Sequence, residues 1–105
     1  MKLRGISVFS GKPLEVEVTG EVIGRVRELS APGEGLPLLS PGFLDMQVNG
    51  FRGADYSLED FGERHMRVIV EALAEAGTTQ HVPTIVSEPQ ERIVRNIRVI
   101  ARLAR

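Results

Sequence analysis

Apolar and polar residues alternate through the first forty positions. Leu14, Val16 and Val18 are separated by Glu15, Glu17 and Thr19, the period of two shown by a strand with one buried and one wet face. Turn chemistry stands on either side, Ser10-Gly11-Lys12-Pro13 before and Thr19-Gly20-Glu21 after, and Val22, Ile23 and Val26 suggest a further strand. The pattern predicts a small antiparallel meander. Ala31-Pro32-Gly33-Glu34-Gly35 then reads as a loop, and Pro37 and Pro41 bracket a short apolar stretch. That loop is the best internal boundary. It divides the chain into a small N-terminal β domain at residues 1–40, read as part of a β-sandwich, and a second region at residues 41–105.

The rhythm changes after the boundary. Gly42 to Val48 predicts an apolar strand, and Gly50 and Gly53 flank a loop in which positive φ is expected. Ser57 with Asp60 resembles a capping box. Met66, Ile69, Val70 and Leu73 recur at helical spacing until Ala76-Gly77, where glycine closes the helix. A second strand is expected from about Gln80 to Val86. Ser87 with Gln90 is another box-like start, Pro89 is tolerated in a first turn, and Ile93, Ile97, Ile100 and Leu103 continue an apolar face. The opposite face carries Arg92, Arg95, Arg98, Arg102 and Arg105, either a solvated helix face or a phosphate-binding stripe. Strand, helix, strand, helix at this spacing reads as a parallel α/β unit. Two parallel strands leave edges that something else must pair. The same logic expects another strand after Arg105.

Composition narrows the function classes. A chain of 105 residues, 42% apolar and 26% charged, has the make-up of one soluble globular domain. Its net charge of -1 offers no electrostatic reason to expect nucleic acid or an anionic membrane as partner; the low charge also favours the solvated reading of the arginine face. Without cysteine there is neither a disulfide nor a thiolate zinc site. Met-Lys-Leu-Arg-Gly-Ile leads into strand-like alternation rather than an apolar secretory segment. No apolar run approaches the roughly 20 residues that cross a bilayer. The expected location is the cytoplasm.

The stretch Ser-Pro-Gly-Phe-Leu-Asp-Met-Gln-Val-Asn-Gly, Ser40 to Gly50, places Asp45, Gln47 and Asn49 at every second position of the expected strand, hence on one face. Polar groups at the C-terminal end of a parallel barrel strand stand where catalytic residues are found. Equally, Gln47 and Asn49 can simply bond loop backbone as the strand ends. Spacing leaves both readings open.

The same residues carry a family resemblance. Leu-Leu-Ser-Pro-Gly-Phe-Leu-Asp resembles the first barrel strand of the amidohydrolase superfamily, in which Pro-Gly-Phe-(Ile/Leu)-Asp is usually followed by His-x-His. Here the two histidine positions are Gln47 and Asn49, with Gly50 next. That substitution is similar to the N-acetylglucosamine-6-phosphate deacetylase family, as is Ala76 to Ser87 with its Pro83-Thr84 ending. The resemblance implies an α/β fold: the start of a (β/α)8 TIM-type barrel, its first two βα units at 41–105, preceded by the small antiparallel β segment and incomplete in this chain. It implies metal-assisted hydrolysis of the N-acetyl group, giving glucosamine 6-phosphate and acetate, with an aspartate handling the proton.

The same resemblance implies Gln47, Asn49 and Gly50 as active-site lining. Carboxamides are weak ligands beside imidazole, so Gln47 and Asn49 shape the pocket and are not metal ligands. The family's His-x-Glu-Gly-Pro segment, later histidine ligands and catalytic aspartate are absent from these residues. The chain is therefore read as the N-terminal part of the enzyme, inactive alone, with no catalytic residue and no metal ligand of its own. The complete enzyme would use a divalent metal, zinc or iron, take an amino-sugar phosphate, include the rest of its own barrel as the partner of this segment and form a homodimer.

His65 reads as surface or helix-packed, and His81, alternating against Gln80, Val82 and Thr84, as structural packing. Asp55, Glu59 and Asp60 stand where a pocket mouth or a helix N-terminus would place acids. The alternatives are another amidohydrolase acting on cyclic amides, and a non-catalytic amidohydrolase-derived binding or assembly module.

Overall fold

The structure is a computed structural model and describes residues 1–30 and 33–104. Ala31 and Pro32 of the boundary loop, and Arg105 of the arginine stripe, lie outside the described residues. The chain divides into two compact units, Met1–Pro41 and Gly42–Arg105.

The first unit is one sheet of four strands, β1 (Lys2–Ser7), β2 (Pro13–Thr19), β3 (Val22–Glu28) and β4 (Leu38–Leu39), in the order β3-β2-β1-β4. β2 and β3 are the two strands that the alternation marks, β1 adds a third in the same antiparallel meander, and β4 joins the free edge of β1 in parallel. The burial along β2 inverts the sequence reading. Leu14, Val16 and Val18 are half-buried, while Glu15 between them is buried. Among the described residues of this unit no second layer covers the apolar face, and Leu3, Ile23 and Val26 are exposed. On the charged face, register places Arg4 and Arg27 on either side of Glu15, and their long stems cover the carboxylate.

The second unit contains β5 (Phe43–Val48), β6 (Gly50–Phe51), β7 (Ala54–Asp55), α1 (Glu63–Glu75), β8 (Thr78–Pro83) and α2 (Gln90–Leu103). β5 and β8 pair in parallel across α1, and β6 and β7 form a separate antiparallel hairpin. The expected opening of an eight-stranded barrel is not what these residues build. The eight strands among the described residues are divided over three sheets of four, two and two strands, a small mixed α/β arrangement. Barrel closure needs each strand hydrogen-bonded on both edges with a common tilt. Among the described residues the parallel sheet has two strands, β5 and β8, and the segment that follows β5 turns back on itself as a hairpin.

That turn is legible in the backbone. Arg52 and Gly53 have φ of 47° and 81°, the two positive values of a two-residue hairpin loop. Positive φ is expected in the loop flanked by Gly50 and Gly53 and is found there, with the non-glycine Arg52 taking the first of the two places. Both helix starts also differ from expectation. α1 begins at Glu63 with Gly62 as its N-cap and α2 with Pro89 as its N-cap, neither with a side-chain capping bond. Ser57 is drawn elsewhere: its buried Oγ accepts the Val86 N–H at 3.0 Å.

The core of this unit is Val48, Ala54, Tyr56, Phe61, Ile69 and Leu73, with Met66, Ile85, Val99 and Ile100 packed against it. Ile69 alone, fully buried, contributes roughly 2–3 kcal/mol of transfer free energy. On α2 the apolar stripe is rotated from the expected one: Asn96 is 0% exposed and Ile97 is 52% exposed. No helix among the described residues is long and apolar enough to cross a membrane.

Candidate functional site

Asp45, Gln47 and Asn49 do not follow one regular strand face. The Asp45 Oδ1 accepts the Gln47 N–H at 3.0 Å, a local bond that competes with the β ladder. The register between β5 and β8 slips between Asp45 and Val48 accordingly. The ladder resumes at the strand end, where the Thr84 N–H donates to the Val48 carbonyl at 2.8 Å. Gln47 lies one residue before the end of β5 with its side chain exposed, and Asn49 follows the strand, half-buried.

Gly50 opens β6 and pairs with Asp55. A Cβ here would collide with the Ala54 carbonyl oxygen and stand 2.7 Å from the Asp55 Cα. Close approach of two backbones therefore demands glycine at this position.

Tyr56 anchors the segment. Its N–H donates to the Asn49 carbonyl at 2.9 Å, and its ring is fully buried against Phe61, with centroids 5.3 Å apart. The phenol oxygen lies 2.6 Å from the His81 Nε2, and burial pushes the phenol up to about 12. The Tyr56 carbonyl accepts the Asn96 Nδ2 at 2.8 Å. Asn96 also donates to the Leu58 carbonyl at 3.0 Å, and its Oδ1 accepts Arg95 Nε and Nη2 at 3.0 and 2.8 Å. The buried carboxamide is thus bonded through both its oxygen and its nitrogen. Sequence reasoning passed over Tyr56 and Asn96. Asn96 did leave a mark, a lone carboxamide three residues from Ile93 and four from Ile100 on the inward stripe.

The other flagged groups are dispersed. His81 is committed to Tyr56, while His65 lies in the first turn of α1, 6.2 Å from the Phe61 ring by centroid and 4.0 Å from the Asp60 carboxylate. The Asp55 Oδ1 accepts the Ser57 N–H at 2.6 Å, and Glu59 lies 3.7 Å from Arg92. Arg92 is also paired with Glu88 at 2.7 Å, and Arg95 is tied to Asn96, so part of the arginine face is already occupied. Among the described residues no group of three or more His, Asp or Glu side chains is placed to hold a metal ion. Gln47 and Asn49 offer neutral carboxamides that both donate and accept hydrogen bonds, beside a glycine that lets two backbones approach closely, while the one carboxylate of β5, Asp45, accepts the Gln47 N–H.

No family model and no solved structure matches the chain. Among curated proteins it is similar to the N-acetylglucosamine-6-phosphate deacetylases of Rattus norvegicus and Mus musculus, each 39% identical over 56 residues. The Homo sapiens protein of the same name is 38% identical over 56 residues. In each case the match takes in 51% of this chain and 13% of the relative. Over about half of its length, this chain resembles a short segment of N-acetylglucosamine-6-phosphate deacetylase.

Proposed function

We propose that this chain is part of a deacetylase that hydrolyses the acetamide of N-acetylglucosamine 6-phosphate to glucosamine 6-phosphate and acetate, and that Gln47, Asn49 and Gly50 line its pocket. The observation that carries the reading is the 38–39% identity over 56 residues to proteins of that name. The chemistry of the segment supports it. A sugar and its acetamide offer alternating hydroxyl, N–H and carbonyl groups, and a carboxamide satisfies either polarity without introducing charge. On this reading residues 1–40 are a separate small β domain and 41–105 carry the pocket lining, in a cytoplasmic homodimer.

The divalent metal implied by the resemblance finds no fitting ligand set among the described residues, since imidazole or carboxylate donors in groups of three are what such a site needs. The part left to this chain is binding and orientation, by the Gln47 and Asn49 carboxamides.

The test is acetate release from N-acetylglucosamine 6-phosphate. A protein extending this chain to the length of its relatives is expected to release acetate, and Asn49→Ala in it to lower kcat/KM by about tenfold or more. The 105-residue chain is expected to release none. Absence of acetate from the extended protein, or an Asn49→Ala variant as active as its parent, refutes the reading.

A further inference from the structure

We infer that Asn96 and His81 are positioning residues for Asn49: together they hold Tyr56, whose backbone amide holds the Asn49 carbonyl. The functional meaning rests on the reading of Asn49 as pocket lining; the geometry does not.

The β6–β7 hairpin that follows Asn49 has two residues per strand, and an isolated ribbon of that size is marginal in water. The Tyr56 N–H to Asn49 carbonyl bond lies next to its open end, where Gly50 pairs with Asp55. What keeps that end in place must come from outside the hairpin. Tyr56 is gripped at both ends, the carbonyl by Asn96 from α2 and the phenol by His81 from β8.

Asn96 is costly for stability alone. A fully buried carboxamide repays its desolvation only when its bonds are made, and an apolar side chain would extend the stripe of Ile93 and Ile100 without that requirement. Its two acceptors, the Tyr56 and Leu58 carbonyls, belong to a loop outside any helix or strand; the Leu58 carbonyl also accepts the Phe61 N–H and the Arg95 Nη2, at 3.2 Å each, so what Asn96 chiefly supplies is the partner of the Tyr56 carbonyl. The carboxamide serves as a short substitute strand, and what it specifies is where this loop sits. The Met66 Sδ lies 3.7 Å from the same phenol oxygen, so α1 and β8 both contribute a neighbour to it.

The experiment measures, on the 105-residue chain, amide exchange by NMR at Tyr56 and at Phe43, whose N–H donates to Gly77 at the opposite end of β5. Asn96→Asp keeps the acceptor for Arg95 and removes the donors. His81→Phe keeps a ring and removes the partner of the phenol, and His81→Gln restores a polar group near the Nε2 position.

The expected result is that Tyr56 exchange, taken relative to Phe43, accelerates about tenfold in Asn96→Asp and in His81→Phe and stays within about threefold of the parent in His81→Gln. If Asn96→Asp does not fold, the two His81 variants decide. An unchanged ratio in a folded Asn96→Asp or His81→Phe, or an acceleration shared equally by Phe43, overturns the inference. Exchange is read without substrate, so this outcome is independent of the acetate assay that tests the deacetylase reading.

Discussion

Glu15 sits in the middle of β2 with 4% of its side chain exposed, 2.8 Å from the Arg4 guanidinium on one side and 2.7 Å from that of Arg27 on the other. The Arg4 guanidinium holds the carboxyl below its ordinary value of 4.5, against an opposing effect of burial and with Arg27 and Lys2 adding to the lowering. The sign of the linkage follows. A carboxyl whose value is lower in the folded chain contributes stability that is fully present above about 4.5 and is lost as pH falls through the folded value. Glu15→Gln is therefore expected to lower the urea midpoint of the first unit at pH 7, by a gap that narrows on acidification as the parent loses the same charge. Equal midpoints at pH 7, or a gap constant with pH, would show that the cluster is not held by charge.

At the scale of elements, the end of α1 was readable and its beginning was not. Gly77 has φ of 85° and its N–H donates to the Ala74 carbonyl at 2.9 Å, a left-handed residue closing the helix as the Ala-Gly pair suggested. A methyl group there would meet only the Phe43 ring, at an ordinary 3.5 Å, so backbone strain is the main cost of adding one. Gly77→Ala is expected to lose about 1 kcal/mol of unfolding free energy, and Gly77→Asn less, because asparagine tolerates this region better. Chemical denaturation checks both, and an alanine variant as stable as the parent would contradict the assigned conformation. The start of α1 was misread because Ser57 and Asp60 have the right spacing for a box. Ser57 is taken by Val86, 29 residues away, a contact that no local pattern announces.

For the molecule as a whole, the open surfaces within each unit govern behaviour in solution. Phe9 is 82% exposed and Val26 55% exposed in the first unit, and in the second Pro83, Ile85, Ile93 and Ile97 line an apolar hollow of about 450 Å³. Exposed apolar surface and unpaired strand edges both promote association. The 105-residue chain is expected to show a sedimentation mass that rises with concentration, and Val26→Lys is expected to reduce that rise. A monodisperse monomer with strongly protected amides from Gly42 to Val86 would overturn this expectation.

The sequence by itself determined the features that depend on near neighbours: the alternating strands β2 and β3 of the meander, the order strand, helix, strand, helix after Gly42, the closing of α1 at Gly77, and the polar run at Gln47 and Asn49. Each follows from a period or a backbone preference spanning a few residues. Only the tertiary structure decided which faces are covered, and so that Glu15 is buried while Ile97 is not. It also decided that the strands divide into three sheets rather than opening a barrel. Asn96 makes the difference plain. Its residue type and position on the stripe are visible in the chain, but the carbonyl it serves is 40 residues away. Burial and long-range hydrogen bonds depend on which distant groups the fold brings together, and a one-dimensional pattern does not record that.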